Sequence, residues 1–177
     1  RTMRLYPKVI PTIAREVVQA LMQDGDVEVE TMRIADAEMD MASVMKEYLA
    51  AEERVNAATR EALERRGYDQ SRFNQVKREM ADVRGFKMGD EGIEYVIGQM
   101  MEQMLVSRNV EEVFSDDLSL RKKIFGIFKR HLDVDDGFVA GHRGERIGPD
   151  DGAALEQRMN DDLTAALDHR HHGRFAG

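Results

Sequence analysis

Residues 10–30 read IPTIAREVVQALMQDGDVEVE and residues 93–113 read IEYVIGQMMEQMLVSRNVEEV, and laying one over the other decides the fold. At an offset of 83 residues, with no gap, Ile13 falls on Val96, Val17 on Met100, Val18 on Met101 and Leu21 on Met104. In the same frame Val27 and Glu28 fall on Val110 and Glu111, and Met41, Val44, Met45 and Leu49 fall on Ile124, Ile127, Phe128 and Leu132. Any two amphipathic helices share an apolar period, so the period alone carries little weight. The weight comes from the Val-Glu pair of the connector keeping one frame with the helices on both sides. The chain is therefore read as a duplicated unit of helix, short connector and helix.

Each unit has its own punctuation. Pro11 suits a first helical turn, where its missing N–H costs nothing. Ile13, Val17 and Leu21 then recur at spacing four until Asp24-Gly25, where glycine can cap. Val27 and Val29 alternate with acidic neighbours, the pattern of a short extended stretch. Residues 31–66 contain no Gly or Pro and predict one long helix of about 50 Å. Along it, Ile34, Met41, Tyr48 and Val55 repeat at seven beside a smaller column of Ala37, Val44, Ala51 and Ala58. Such a seam suits antiparallel packing, and the small column argues against a free-standing coiled coil. Gly67 ends it, and Ser71 is expected to cap a short helix to about Val83 that carries Phe73, Val76 and Met80 on one face.

The stretch from Arg84 to Gly89 reads as a hinge, with Asp90 capping the next helix. That helix carries Met100, Met101, Met104 and Leu105, and Asn109 with Glu112 has capping-box spacing after it. Ser115 or Asp116 should start the last firm helix, through Leu132. From Gly137 to Gly152 glycines interrupt the chain, and Leu155, Met159, Leu163 and Leu167 at spacing four then allow a terminal amphipathic helix. The expected organisation is a first unit at 1–66, a short helix and hinge at 67–92, a second unit at 93–133 and a Gly-rich, flexible tail at 134–177. The expected fold is all-α and elongated, with at most short strands near Val27 and Val110.

Composition bounds the function. The 177 residues carry a net charge of −8, with 34% charged residues, 6% aromatics, no cysteine and no tryptophan. Without cysteine there is no disulfide scaffold and no thiolate metal site, and no apolar stretch is long enough for a membrane helix. The acidic balance argues against general nucleic-acid binding, which draws on excess Lys and Arg. No charged-then-apolar leader is present, so a cytoplasmic setting is expected. Twelve methionines against three prolines suit packed helices with an adaptable core.

The run Met3-Arg4-Leu5-Tyr6-Pro7-Lys8-Val9-Ile10-Pro11, with Val27-Glu28-Val29, Asn74-Gln75-Val76-Lys77-Arg78 and Gly85-Phe86-Lys87-Met88, resembles the bacterial domain-of-unknown-function family 507 over about residues 3–134. The resemblance implies a small, largely helical, cytoplasmic bacterial protein. It brings no established activity, cofactor or catalytic residue. Met3 is the initiator that the resemblance leads one to expect, with Arg1-Thr2 before it, and the tail after Val134 departs from the charged, helical ending of relatives.

No residue is assigned a catalytic, cofactor-binding or metal-binding role. His169, His171 and His172 gather with Asp168 near the end of the chain, which offers no supporting shell for a metal. In Asp133-Val134-Asp135-Asp136-Gly137 the glycine is fifth, and Gly144 stands where a calcium loop needs its bidentate Glu. The glycines of 85–92 lack the Gly-Lys-Ser/Thr ending of a phosphate loop, and no histidine precedes His131 to activate a serine. Two sets of residues remain. Arg121, Lys122, Lys129 and Arg130 form a possible basic face, although residues 51–92 balance nine basic against nine acidic groups. Met41, Met45, Tyr48, Met100, Met101 and Met104 either fill a core or form a protein-interaction face. The expectation is a non-enzymatic scaffold or adaptor that binds a protein partner or itself, without cofactor or membrane. A nucleic-acid- or ribosome-associated factor is the alternative, and an enzyme comes third.

Overall fold

The computed structural model describes residues 3–139. A 3-10 turn, Pro7–Val9, leads into α1 (Ile10–Gln23), which is followed by β1 (Val27–Glu28) and a second turn, Thr31–Arg33. Then come α2 (Ile34–Arg66), a third turn at Gln70–Arg72, α3 (Phe73–Arg84), α4 (Gly89–Val106), β2 (Glu112–Val113) and α5 (Asp117–Val139). The fold is all-α. The one sheet among the described residues is an antiparallel ribbon of the two connectors, with Val27 opposite Val113 and Glu28 opposite Glu112. The second strand thus forms two residues beyond the Val110 of the sequence alignment.

The offset of 83 is written into the helix ends. α1 ends at Gln23 and α4 at Val106, while α2 begins at Ile34 and α5 at Asp117. Packing follows the same exchange, since α1 lies against α2 and α5, and α4 lies against α5 and α2. Each unit's first helix therefore touches both second helices, as a pseudo-two-fold arrangement requires. The shared core holds Ile13, Val17, Leu21, Ile97, Ile124 and Phe128, closed at one end by Met3 and Leu5. Met41, Met45, Met100, Met101 and Met104 are buried in this core, so they do not form an exposed interaction face, whereas Tyr48, at the edge of the core, also borders the space between α2 and α4. The correction has a simple cause: at helical spacing they face the opposing unit of the same chain, which removes them from solvent. Met39 turns outward, 68% exposed, and Leu105 is half exposed, both off the inward stripe.

The distal half of α2 forms an arm with α3, around a second cluster of Ala62, Leu63 and Val76 flanked by Phe73 and Met80. Gly67 turns the chain at φ 65°, a left-handed conformation that a side chain would strain. Several caps differ from expectation. Asp69, not Ser71, caps the turn before α3, accepting from the Ser71 backbone N–H at 2.8 Å. α4 starts at Gly89 with Met88 at its N-cap and no side-chain cap, and Asp90, inside the first turn, accepts from the Met3 backbone N–H at 3.2 Å. Asn109 donates to Asp40 on α2 at 2.9 Å instead of opening a capping box. Asp116 caps α5 by accepting from the Ser119 N–H at 2.8 Å. α5 itself runs past the expected end at residue 133, so Asp133 to Gly137 are helical.

Asp26 sits where the ribbon meets α5 and is only 5% exposed. Its carboxylate accepts from the Lys123 ammonium at 2.5 Å and from the Ser115 hydroxyl. Burial alone raises the carboxyl, but the ammonium and hydroxyl outweigh it and hold Asp26 below the ordinary carboxylate range. A depressed folded pKa stabilises the protein above the unfolded value, and the gain is lost as pH falls through the folded value. Asp26→Asn should therefore cost about 1 kcal/mol at pH 7, modest because Lys123 is partly solvated. The deficit should shrink as pH falls below the ordinary carboxylate range in urea melts followed by circular dichroism, and a deficit independent of pH would refute the charge argument.

Candidate functional site

Along α2, Val44, Tyr48, Ala51 and Val55 share one face, and along α4 Tyr95, Gln99, Glu102, Gln103 and Val106 follow the helical period. Between these two rows runs a groove of about 800 Å³, bounded at one end by the 84–88 loop that joins α3 to α4. Val44 and Ala51 come from the small column of the heptad, and their short side chains leave the space open. Tyr95 is 51% exposed and Val106 74% exposed, so the α4 wall offers apolar surface to solvent. Arg54, Arg84 and Lys87 supply cations and Glu47 and Glu102 anions, with Arg54 bonded to Glu47 at 3.4 Å.

The closed end is built on Tyr48. Its ring stacks on Phe86 at 4.9 Å and 14° and lies tilted 6.5 Å from Tyr95. Its hydroxyl donates to the Lys87 carbonyl at 2.7 Å. Burial, helped by the nearby Glu52 carboxylate, raises the phenol well above its usual range, so it stays a neutral donor. Gly92 makes this approach possible, because a Cβ there would stand 2.1 Å from the Tyr48 hydroxyl and 2.8 Å from the Lys87 carbonyl.

The duplication supplies a built-in comparison. The pseudo-symmetric mate of the α2/α4 groove is the α5/α1 interface, and that interface is bridged by polar contacts. There Glu16 accepts from Arg130 at 2.7 Å and lies 2.7 Å from the His131 ring nitrogen. Burial alone raises the Glu16 carboxyl, but the bonds from His131 and Arg130 outweigh that and lower it. Shifting by 83 residues carries Glu16 onto Gln99, Arg130 back onto Glu47 and His131 back onto Tyr48. In the groove, Glu47 is turned to Arg54 and Tyr48 to Lys87, so the bridge across the helices is not rebuilt.

Of the four expected basic residues, Lys122, Lys129 and Arg130 stand at i, i+7 and i+8 on one side of α5, and Arg121 falls off it. Arg121 and Arg130 are nine residues apart on α5, half a turn out of phase. Arg121 is mostly buried beside Asp117 at 3.7 Å, and Arg130 is committed to Glu16. Lys122 is exposed and Lys129 half-buried between them. Among the described residues no three His, Asp or Glu side chains are placed to hold a metal ion, and no helix is long and apolar enough to cross a membrane. The terminal histidine cluster lies outside the described residues. Sequence reading missed Phe86, Gly92 and Tyr95. The one signal available was the column of small residues on α2, which marks where two helices leave space.

A family model described as Protein of unknown function (DUF507) matches residues 3–138. The chain belongs to this family. No curated protein matches it. In this DUF507 chain every residue lining the groove lies inside the matched span, and residues 139–177 lie beyond it.

Two helical glycines of the DUF507 span should respond oppositely to alanine. Gly92→Ala forces Tyr48 and the 84–88 loop apart and should cost about 1–3 kcal/mol. Gly126→Ala meets open space on α5 and should stabilise by up to about 1 kcal/mol. Thermal melts of the two variants check this, and equal effects would contradict the described approach of Tyr48 to α4.

Proposed function

We propose that this chain is a non-enzymatic protein-interaction module whose α2/α4 groove receives an apolar-faced helical segment of a protein partner. The observation that carries the reading is the groove of about 800 Å³ itself: the contacts of Glu16 with Arg130 and His131 on the α1/α5 side are not repeated by Gln99, Glu47 and Tyr48, although Asp40 ties α2 to Ser107 and Asn109 past the end of α4. An open helix-helix groove with apolar walls gains most from a third helix, which removes Val44, Tyr95 and Val106 from water together. Rim charges of both signs give such a helix an orientation.

The same mixture disfavours a polyphosphate, because Glu47 and Glu102 stand among the cations. On the arm, Arg66 is paired with Glu79 at 2.9 Å and Arg60 with Glu53 at 2.8 Å, which takes two of its arginines out of such a role. Association with nucleic acid or the ribosome therefore remains the second reading.

The test places a photo-crosslinker at Gln99 in the groove and, as a control, at Gln19 on the exposed side of α1. A partner whose crosslinks arise from Gln99 alone should bind the purified chain, and Val106→Asp should weaken it by about tenfold or more, since a charge would be buried against the apolar face. Sedimentation of the same variant shows whether that partner is a second copy. Binding indifferent to Val106→Asp, or retention only on RNA with a steep salt dependence, would overturn the proposal.

A further inference from the structure

Resting on that reading of the groove, we propose that its resident occupant is the chain's own segment 153–168, AALEQRMNDDLTAALD, which competes with protein partners for the α2/α4 site. The first argument is fit. Leu155, Met159, Leu163 and Leu167 stand at spacing four, so a helix over this segment presents one apolar edge. That edge spans twelve residues, about 18 Å. The groove wall on α2 runs from Ser43 to Val55, also twelve residues and about 18 Å.

Charge is the second argument. Segment 153–168 holds Glu156, Asp161, Asp162 and Asp168 against Arg158, a net −3. The groove holds Arg54, Arg84 and Lys87 against Glu47 and Glu102, a net +1 in a chain whose total is −8. The segment therefore meets a local excess of positive charge on an otherwise acidic molecule, where attraction also fixes orientation.

Reach is the third. Lys123 meets Asp24 at one end of α1 and Arg130 meets Glu16 nearer the other, so α5 runs antiparallel to α1 and Val139 emerges beside the start of α1. Met3 is held by Asp90 in the first turn of α4, which brings that same end of the molecule next to the closed end of the groove. Residues 140–152, with four glycines, span about 20 Å as a relaxed linker and about 40 Å when extended.

The absence of cysteine makes the experiment clean, because one introduced thiol labels one site. A nitroxide attached at Met159→Cys in the full chain should broaden the backbone amide signals of Ser43, Glu47, Gln99 and Gln103 and leave Arg15 and Gln19 on α1 sharp. Adding Leu163→Asp should abolish the broadening. The same substitution in the unlabelled chain should raise affinity for the groove partner, by about tenfold if the segment holds the groove nine-tenths of the time. Absence of broadening, or broadening seen only between a labelled chain and a separate isotope-labelled copy, would overturn the proposal. If broadening is absent while a partner still crosslinks at Gln99, the self-docking idea fails alone. If neither occurs, the protein-docking reading of the groove fails with it.

Discussion

Neither helix pair of this chain can bury its apolar face alone, and everything else in the structure follows from that constraint. A pair of short amphipathic helices leaves one side of each helix in water, where the hydrophobic gain falls short of the entropy lost on ordering. The second unit supplies the missing surface: Met41 and Met45 of one half and Met100, Met101 and Met104 of the other meet in the same core. Methionine suits such a seam between unequal halves, because its unbranched side chain adapts to irregular gaps. The connectors are drawn into register as a consequence and pair as a two-stranded ribbon. Asp26 then ties that ribbon to α5 through Lys123.

Duplication would lead one to expect two equal interfaces, and the structure departs from equality at three positions. Glu16, Arg130 and His131 span the α1/α5 side, where a carboxylate between two bases is held in its charged form. On the α2/α4 side the equivalents are Gln99, Glu47 and Tyr48. Glutamine carries no charge to pair with, Glu47 is engaged along its own helix, and Tyr48 is drawn sideways onto Phe86. α2 also continues into the arm while α5 does not carry a comparable partner helix among the described residues. The loop that returns the chain from α3 to α4 therefore closes one end of the groove instead of filling it.

Much of this was legible beforehand for a physical reason. The helices around Leu21, Met45, Met101 and Phe128 were readable because burial against a partner imposes a period of 3.6 on the residues themselves. Glycine at 67 marked a helix end because its backbone conformation is a local property. The ribbon's register was not readable, since the connectors pair with each other across 86 residues and the strand formed at Glu112 rather than Val110. Asp90 and Asn109 carried capping signatures yet serve distant groups, the Met3 N–H and Asp40, because a side chain bonds whatever donor or acceptor packing brings within reach.

By itself, the sequence determined the all-α class, the repeat at 83 residues and the identity of most core positions, because each depends on spacing along the chain. Only the tertiary structure decided which methionines would be hidden and which face would remain open. Burial is a property of two surfaces, and a helix pattern specifies only one of them. The groove between α2 and α4 opens where the contacts of Glu16 with Arg130 and His131 on the α1/α5 side have no counterpart, a difference visible only once both interfaces are folded.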